Sequence, residues 1–219
     1  MKGRNHAEGS EFKPASGEIW VNSFTEASAR QFREQVLMEA REDPNKPIII
    51  YIDSYGGFAD SLAAMLETMD EVQNPFVTVA YGKAMSCGAI LLSHGDYRYV
   101  GKYARVMVHE VTAGSWGNAR TLKNDTKEIL RLNRVMMELV AKNCGMKGYD
   151  DLKNKFREHD ADEIWMSAQD AVAFGIADYV GSVTLVPMIA WNCCTPPNKV
   201  RRKAAKDSKP AKVSKPKKK

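Results

Sequence analysis

Pro47–Asp53 reads PIIIYID, and no other stretch of the 219-residue chain constrains its fold as tightly. A continuous apolar run of this length suits a strand buried on both faces, as in a parallel sheet. It is followed by a turn, Ser54-Tyr55-Gly56-Gly57, and then by Leu62, Met65, Leu66, Met69 and Val72 at helical spacing, with Asn74-Pro75 as the stop. Phe76–Gly82 is a second buried strand. Strand, helix and strand in this order predict parallel βαβ units with right-handed crossovers.

The same alternation extends outward. Glu18–Ser23 reads as a short strand, and a helix starting at Thr25 carries Phe32, Val36, Leu37 and Ala40 on one face before breaking at Asp43-Pro44. Gly88–Ser93 is a small, apolar, buried helix; Tyr97–Gly101 and Ala104–Glu110 read as strands. Gly114–Gly117 leads into a long helix with apolar positions Leu122, Ile129, Leu132, Met136 and Leu139, closed at Gly145. Met136, Met137, Leu139 and Val140 form a stripe that suits either a partner subunit or the same chain. Ser167 and Asp170 form a capping box before a short helix with Gly175 as C-cap, and Ile176–Val180 is the last core strand.

Charge divides the chain. Thr195–Lys219 holds eleven Lys/Arg and one acid, against 21 basic and 26 acidic residues in the remainder, so the net +5 hides an acidic body. We therefore expect a polar, disordered N-terminal arm over 1–16, one domain over 17–194 and a Lys-rich disordered tail over 195–219. The tail is the only part suited to nucleic acid, through counterion release. No apolar stretch approaches the ~20 residues of a membrane span, and the N-terminus lacks an apolar signal core. Cysteines at 87, 144, 193 and 194 form no CxxC, which fits neither a zinc site nor a disulfide framework. The expectation is a cytoplasmic chain with no metal and no cofactor.

Four segments could carry chemistry. Gly82–Ala89 (GKAMSCGA) sets Ser86 on a tight turn between strand and helix, half-matching the nucleophile elbow GxSxG; its bland alternative is a helix cap. Ser54–Gly57 suits oxyanion donation or a plain turn; it fails as a phosphate loop. His109 ends an apolar strand, where sites concentrate in parallel sheets. Asp162 and Glu163 offer a carboxylate to orient His109, or simply an acidic loop.

Four blocks in order, Ile49–Gly57 (IIYIDSYGG), Gly82–Ala89, Ala104–His109 (ARVMVH) and Trp165–Asp178 (WMSAQDAVAFGIAD), resemble the blocks of the ClpP family, the proteolytic subunits of Clp proteases. The resemblance implies an α/β fold, the ClpP/crotonase-like β-α spiral with a protruding handle helix over Gly114–Cys144. It implies a serine-type endopeptidase with Ser86 as nucleophile, His109 as general base, and Gly57 and Cys87 as backbone oxyanion donors. The family's catalytic Asp falls on Glu163, with Asp162 beside it, and its Ser-Pro-Gly-Gly is Ser54-Tyr55-Gly56-Gly57 here. Implied partners are peptide or unfolded-protein substrates, further copies in a heptameric-type ring, and an ATP-driven AAA+ unfoldase. Sixteen polar residues stand where the family has its axial loop and first helix. The alternatives are a weak or inactive structural subunit, a phage capsid or scaffold maturation protease, a crotonase-type acyl-CoA enzyme, a Ser-Lys protease, and a cysteine protease using Cys87.

Overall fold

A computed structural model describes residues 17–158 and 162–183. The expected arm, the Lys-rich tail and the stretch of the expected domain beyond residue 183 lie outside the described residues.

The first helix shows how local signals set the elements. After strand β1 (Glu18–Val21), Thr25 caps helix α1 (Glu26–Glu42) by accepting from Ser28 N–H, while the Ser28 hydroxyl accepts from Thr25 N–H. Phe32 and Val36 lie one turn apart and are buried, each worth about 1.5–3 kcal/mol of apolar transfer. Strand β2 (Ile48–Ser54) runs parallel to β1, and helix α2 (Ala59–Glu71) buries Leu62, Met65, Leu66 and Met69. On β2, Ile48, Ile50 and Ile52 join the main core with both helices, and Ile49 and Tyr51 join a second cluster with Val77 and Val79. Both faces of the PIIIYID strand are covered, as its unbroken apolar run predicts.

Strand β3 (Phe76–Met85) runs three residues beyond the Gly82 end expected from sequence. Its first half pairs in parallel with β2 and with β4 (Tyr97–Val100); its end, Lys83–Met85, pairs in parallel with β5 (Arg105–His109). The β2–β3 register slips between Ile52 and Ser54, where three residues of β3 oppose one of β2. Gly82 lies in this bulge, and a Cβ there would come within 2.9 Å of Asp53 Oδ1. Helix α3 (Cys87–Ser93) follows directly, entirely buried.

Helix α4 (Ala119–Asn143) is capped by Asn118, and α5 (Tyr149–Glu158) follows it. Strand β6 (Glu163–Met166) pairs antiparallel with β5. Helix α6 (Ala168–Phe174) has the expected Ser167/Asp170 capping box and Gly175 in the left-handed region, and β7 (Tyr179–Val180) pairs in parallel with β4. The described residues thus form a mixed α/β structure with a seven-stranded, mainly parallel sheet and six helices.

The structure decides three segments. Glu163–Met166 is a strand rather than an acidic loop. Gly114–Gly117, the expected lead into the long helix, forms neither helix nor strand. Met136, Met137 and Val140 pack inside their own chain, because α4 lays its last turns against the main core; the first four turns, 119–132, hold no buried residue.

Candidate active site

Ser86 is the only non-glycine residue with positive φ among the described residues (φ 54°, ψ −119°). That conformation costs about 1–3 kcal/mol, so the surroundings must hold it. Three contacts do so. Ser86 N–H donates to Met107 O at 2.9 Å, stitching the elbow to β5 two residues before His109. Ser86 O accepts from Ala89 and Ile90, anchoring it to α3. Gly56 (φ 109°) packs against the serine itself: a Cβ at 56 would lie 2.7 Å from Ser86 Cβ and 3.1 Å from its Oγ. The glycine pair therefore has two separate causes, because a Cβ at Gly57 would meet Phe24 O at 2.5 Å.

Cys87 opens α3, so its N–H belongs to the first turn and has no carbonyl partner within the helix. Its thiol is buried and donates to Gly57 O at 3.3 Å. Burial, the largest influence on it, pushes the thiol pKa up. A protonated, enclosed thiol is a poor nucleophile.

His109 ends β5, half-buried, with Nδ1 3.4 Å from Thr112 Oγ1. Glu163 is its direct cross-strand partner in the β5–β6 ladder. Directly opposed residues hold their Cβ atoms about 4.5–5.5 Å apart on one face of the sheet. The Glu163 carboxylate accepts from Trp165 Nε1 at 2.9 Å. Among the described residues no hydrogen bond joins the side chains of Ser86, His109 and Glu163. The β3–β5–β6 pairing sets the three positions at neighbouring strand ends, with His109 beside Thr112 and Glu163 accepting from Trp165.

A cleft of about 450 Å³ opens beside His109, lined by Thr112, Phe156, Arg157, Asp162 and Glu163. Asp162 borders it from just ahead of β6. On another side of the elbow, the exposed Tyr55 ring lies 4.5 Å from Lys83 Nζ, which pairs with Asp53 at 2.6 Å. Among the described residues, no group of His, Cys, Asp and Glu could hold a metal ion, and no helix is long and apolar enough to cross a membrane.

The sequence model of the Clp protease family matches residues 18–184, more than half of the chain. The chain belongs to the Clp protease family. It is thereby placed among ClpP-type peptidases, a family that acts on peptide substrates and generally assembles into oligomeric rings. Its parallel sheet and helices agree with a ClpP-like fold. Two features of this Clp protease escaped the sequence. Gly56 supports the serine, a role foreshadowed only by the doubled glycine. Trp165 holds Glu163, a contact that appears once Glu163–Met166 is known to be a strand, since residues two apart then share a face.

Proposed function

We propose that this Clp protease family member is a serine endopeptidase using Ser86, His109 and Glu163. The observation that carries the reading is the strained Ser86 elbow, held by Gly56 and tied by its N–H to the strand that ends at His109. In the reaction His109 takes the hydroxyl proton as Ser86 Oγ attacks the peptide carbonyl, then returns it to the leaving amine; water repeats the sequence to release the acyl group. The N–H groups of Gly57 and Cys87 receive the oxyanion, where loss of one donor costs ~10²–10³ in rate. Glu163, rather than Asp162, orients the imidazole, because the ladder sets it opposite His109 and Asp162 lies ahead of the strand. For this the Glu163 carboxylate turns from Trp165 toward His109. The reading includes a ring-type oligomer with the uncovered first turns of α4 as a handle, a cytoplasmic location, and a protease domain of 17–194 between the arm and the basic tail.

The test is fluorophosphonate labelling read by intact mass, with cleavage of a fluorogenic peptide. Wild type should gain one adduct per chain. Ser86→Ala should abolish adduct and cleavage, and His109→Ala should slow both ~10³-fold or more. Glu163→Gln should retain labelling at a reduced rate. A folded, oligomeric wild type that takes no adduct and cleaves no peptide overturns the reading. Thioester turnover under the same conditions would favour the acyl-CoA alternative.

A further inference from the structure

Three polar side chains, those of Glu110, Asn133 and Tyr149, take no part in the chemistry above, yet they hold the backbone that follows His109. Asn133 and Tyr149 are buried, on α4 and at the start of α5. Asn133 Oδ1 accepts from Val111 N–H at 2.9 Å, and its Nδ2 donates to Tyr149 Oη, also at 2.9 Å. Tyr149 in turn donates its hydroxyl to Glu110 Oε1. Both residues that follow His109 are thus fixed, one by its backbone and one by its side chain. Asn133 is also the first buried residue of α4, where that helix meets the body.

We propose that Asn133 and Tyr149 are positioning residues that set the placement of the His109 imidazole through Glu110 and Val111. The inference rests on the assignment of His109 as the base. Position 109 ends its strand, so no further ladder pair lies beyond it to fix the backbone. The loop from 110 to 118 contains no helix or strand, and Gly114 has open space around it. Without the two anchors, the His109–Val111 segment would move with that loop. A base displaced by even 1 Å loses much of its rate advantage. An Asn buried on an otherwise apolar helix stripe is costly unless its amide is satisfied on both sides, and here it is. The Tyr149 hydroxyl remains a donor at every working pH, because burial and then the Glu110 carboxylate push its pKa up to about 12.

The experiment uses the full chain and two readouts. The first is fluorophosphonate labelling, which separates the number of reactive sites from the rate per site. Tyr149→Phe and Asn133→Ala should keep the number of sites and lower the rate per site ~10-fold, with kcat falling and KM within twofold. Glu110→Gln, which keeps the acceptor for Tyr149, should stay within twofold of wild type, and Glu110→Ala should resemble Tyr149→Phe. The second readout needs no activity: the 13Cε1 resonance of His109 should shift or broaden in both slow variants while that of His94 stays in place. Fewer sites with an unchanged rate per site, or an unmoved His109 resonance, would overturn the proposal. If wild type takes no adduct, the serine reading fails, and the His109 resonance still decides whether these residues hold it.

Discussion

At the scale of single residues, the elbow shows why a short motif can require several exact side chains. Ser86 needs a positive φ that an L residue resists, and Gly56 must leave room for its Cβ. Gly56→Ala adds a methyl that overlaps Ser86 Cβ while also straining residue 56 at φ 109°. We expect a loss of about 1–3 kcal/mol in stability and at least a tenfold slower labelling of Ser86, measured by denaturant unfolding and probe kinetics. Unchanged labelling would mean that the Gly56–Ser86 contact does not hold the serine. Cys87 teaches a complementary point: the thiol beside Ser86 is buried and its pKa is raised by that burial, so it is poorly suited to act as a nucleophile.

At the scale of elements, the β3–β5–β6 ladder does the assembling. Lys83–Met85 pairs with β5, and β5 pairs with β6, so Ser86, His109 and Glu163 lie at neighbouring strand ends although 77 positions separate the first from the last. Tyr149, at the start of α5, donates to Glu110 just beyond the end of β5, which gives a pH signature. The tyrosine pKa rises from its ordinary 10 to about 12 in the folded chain, so between these values the folded state retains a proton that the unfolded state has lost. Stability from this group is complete below pH 10 and is lost as pH rises through 12. Wild type should therefore lose more stability than Tyr149→Phe across pH 10 to 12 in urea unfolding. Equal losses would show that Tyr149 titrates normally.

At the scale of the whole molecule, α4 is half attached. Its last turns are buried with Met136, Met137 and Val140, and the C-terminal end of the helix is held to the body by Arg98, which donates to Asn143 O at 3.0 Å and pairs with Asp178 at 2.5 Å. Leu122 and Leu130 on the first turns are exposed, as is Trp116 ahead of the helix. Apolar groups projecting on a half-docked helix are what an interface between copies requires. On the proposed ring reading, Leu130→Glu should shift the protein to smaller assemblies in sedimentation velocity, with its melting temperature little changed because Leu130 is 62% exposed in the chain alone. An unaltered assembly would remove this face from the interface.

Much of this was legible in the sequence, for reasons specific to each element. The PIIIYID run, the capping box at Ser167–Asp170 and the Gly175 C-cap are local signals, and the structure follows them. The four motif blocks carried the family, whose model matches residues 18–184. The extent of β3 and the strand at 163–166 were not legible, since each depends on a partner strand far away in sequence. The partner of the α4 stripe was left open by the sequence for the same reason. Periodicity shows that a helix has an apolar face; whether that face meets its own body or another copy depends on where the helix is set down.

The sequence by itself thus determined the locally signalled strands and helices, the parallel order of the core strands, and the motif blocks of the Clp protease family. Only the tertiary structure decided the register that sets Glu163 opposite His109, the packing of Gly56 on Ser86, and the anchoring of residues 110 and 111 by Asn133 and Tyr149. The physical reason is the range of the forces. Propensity, caps and turns act over a few neighbouring residues, whereas a strand register or a buried hydrogen bond is fixed only when distant segments meet and each must satisfy the other's polar groups.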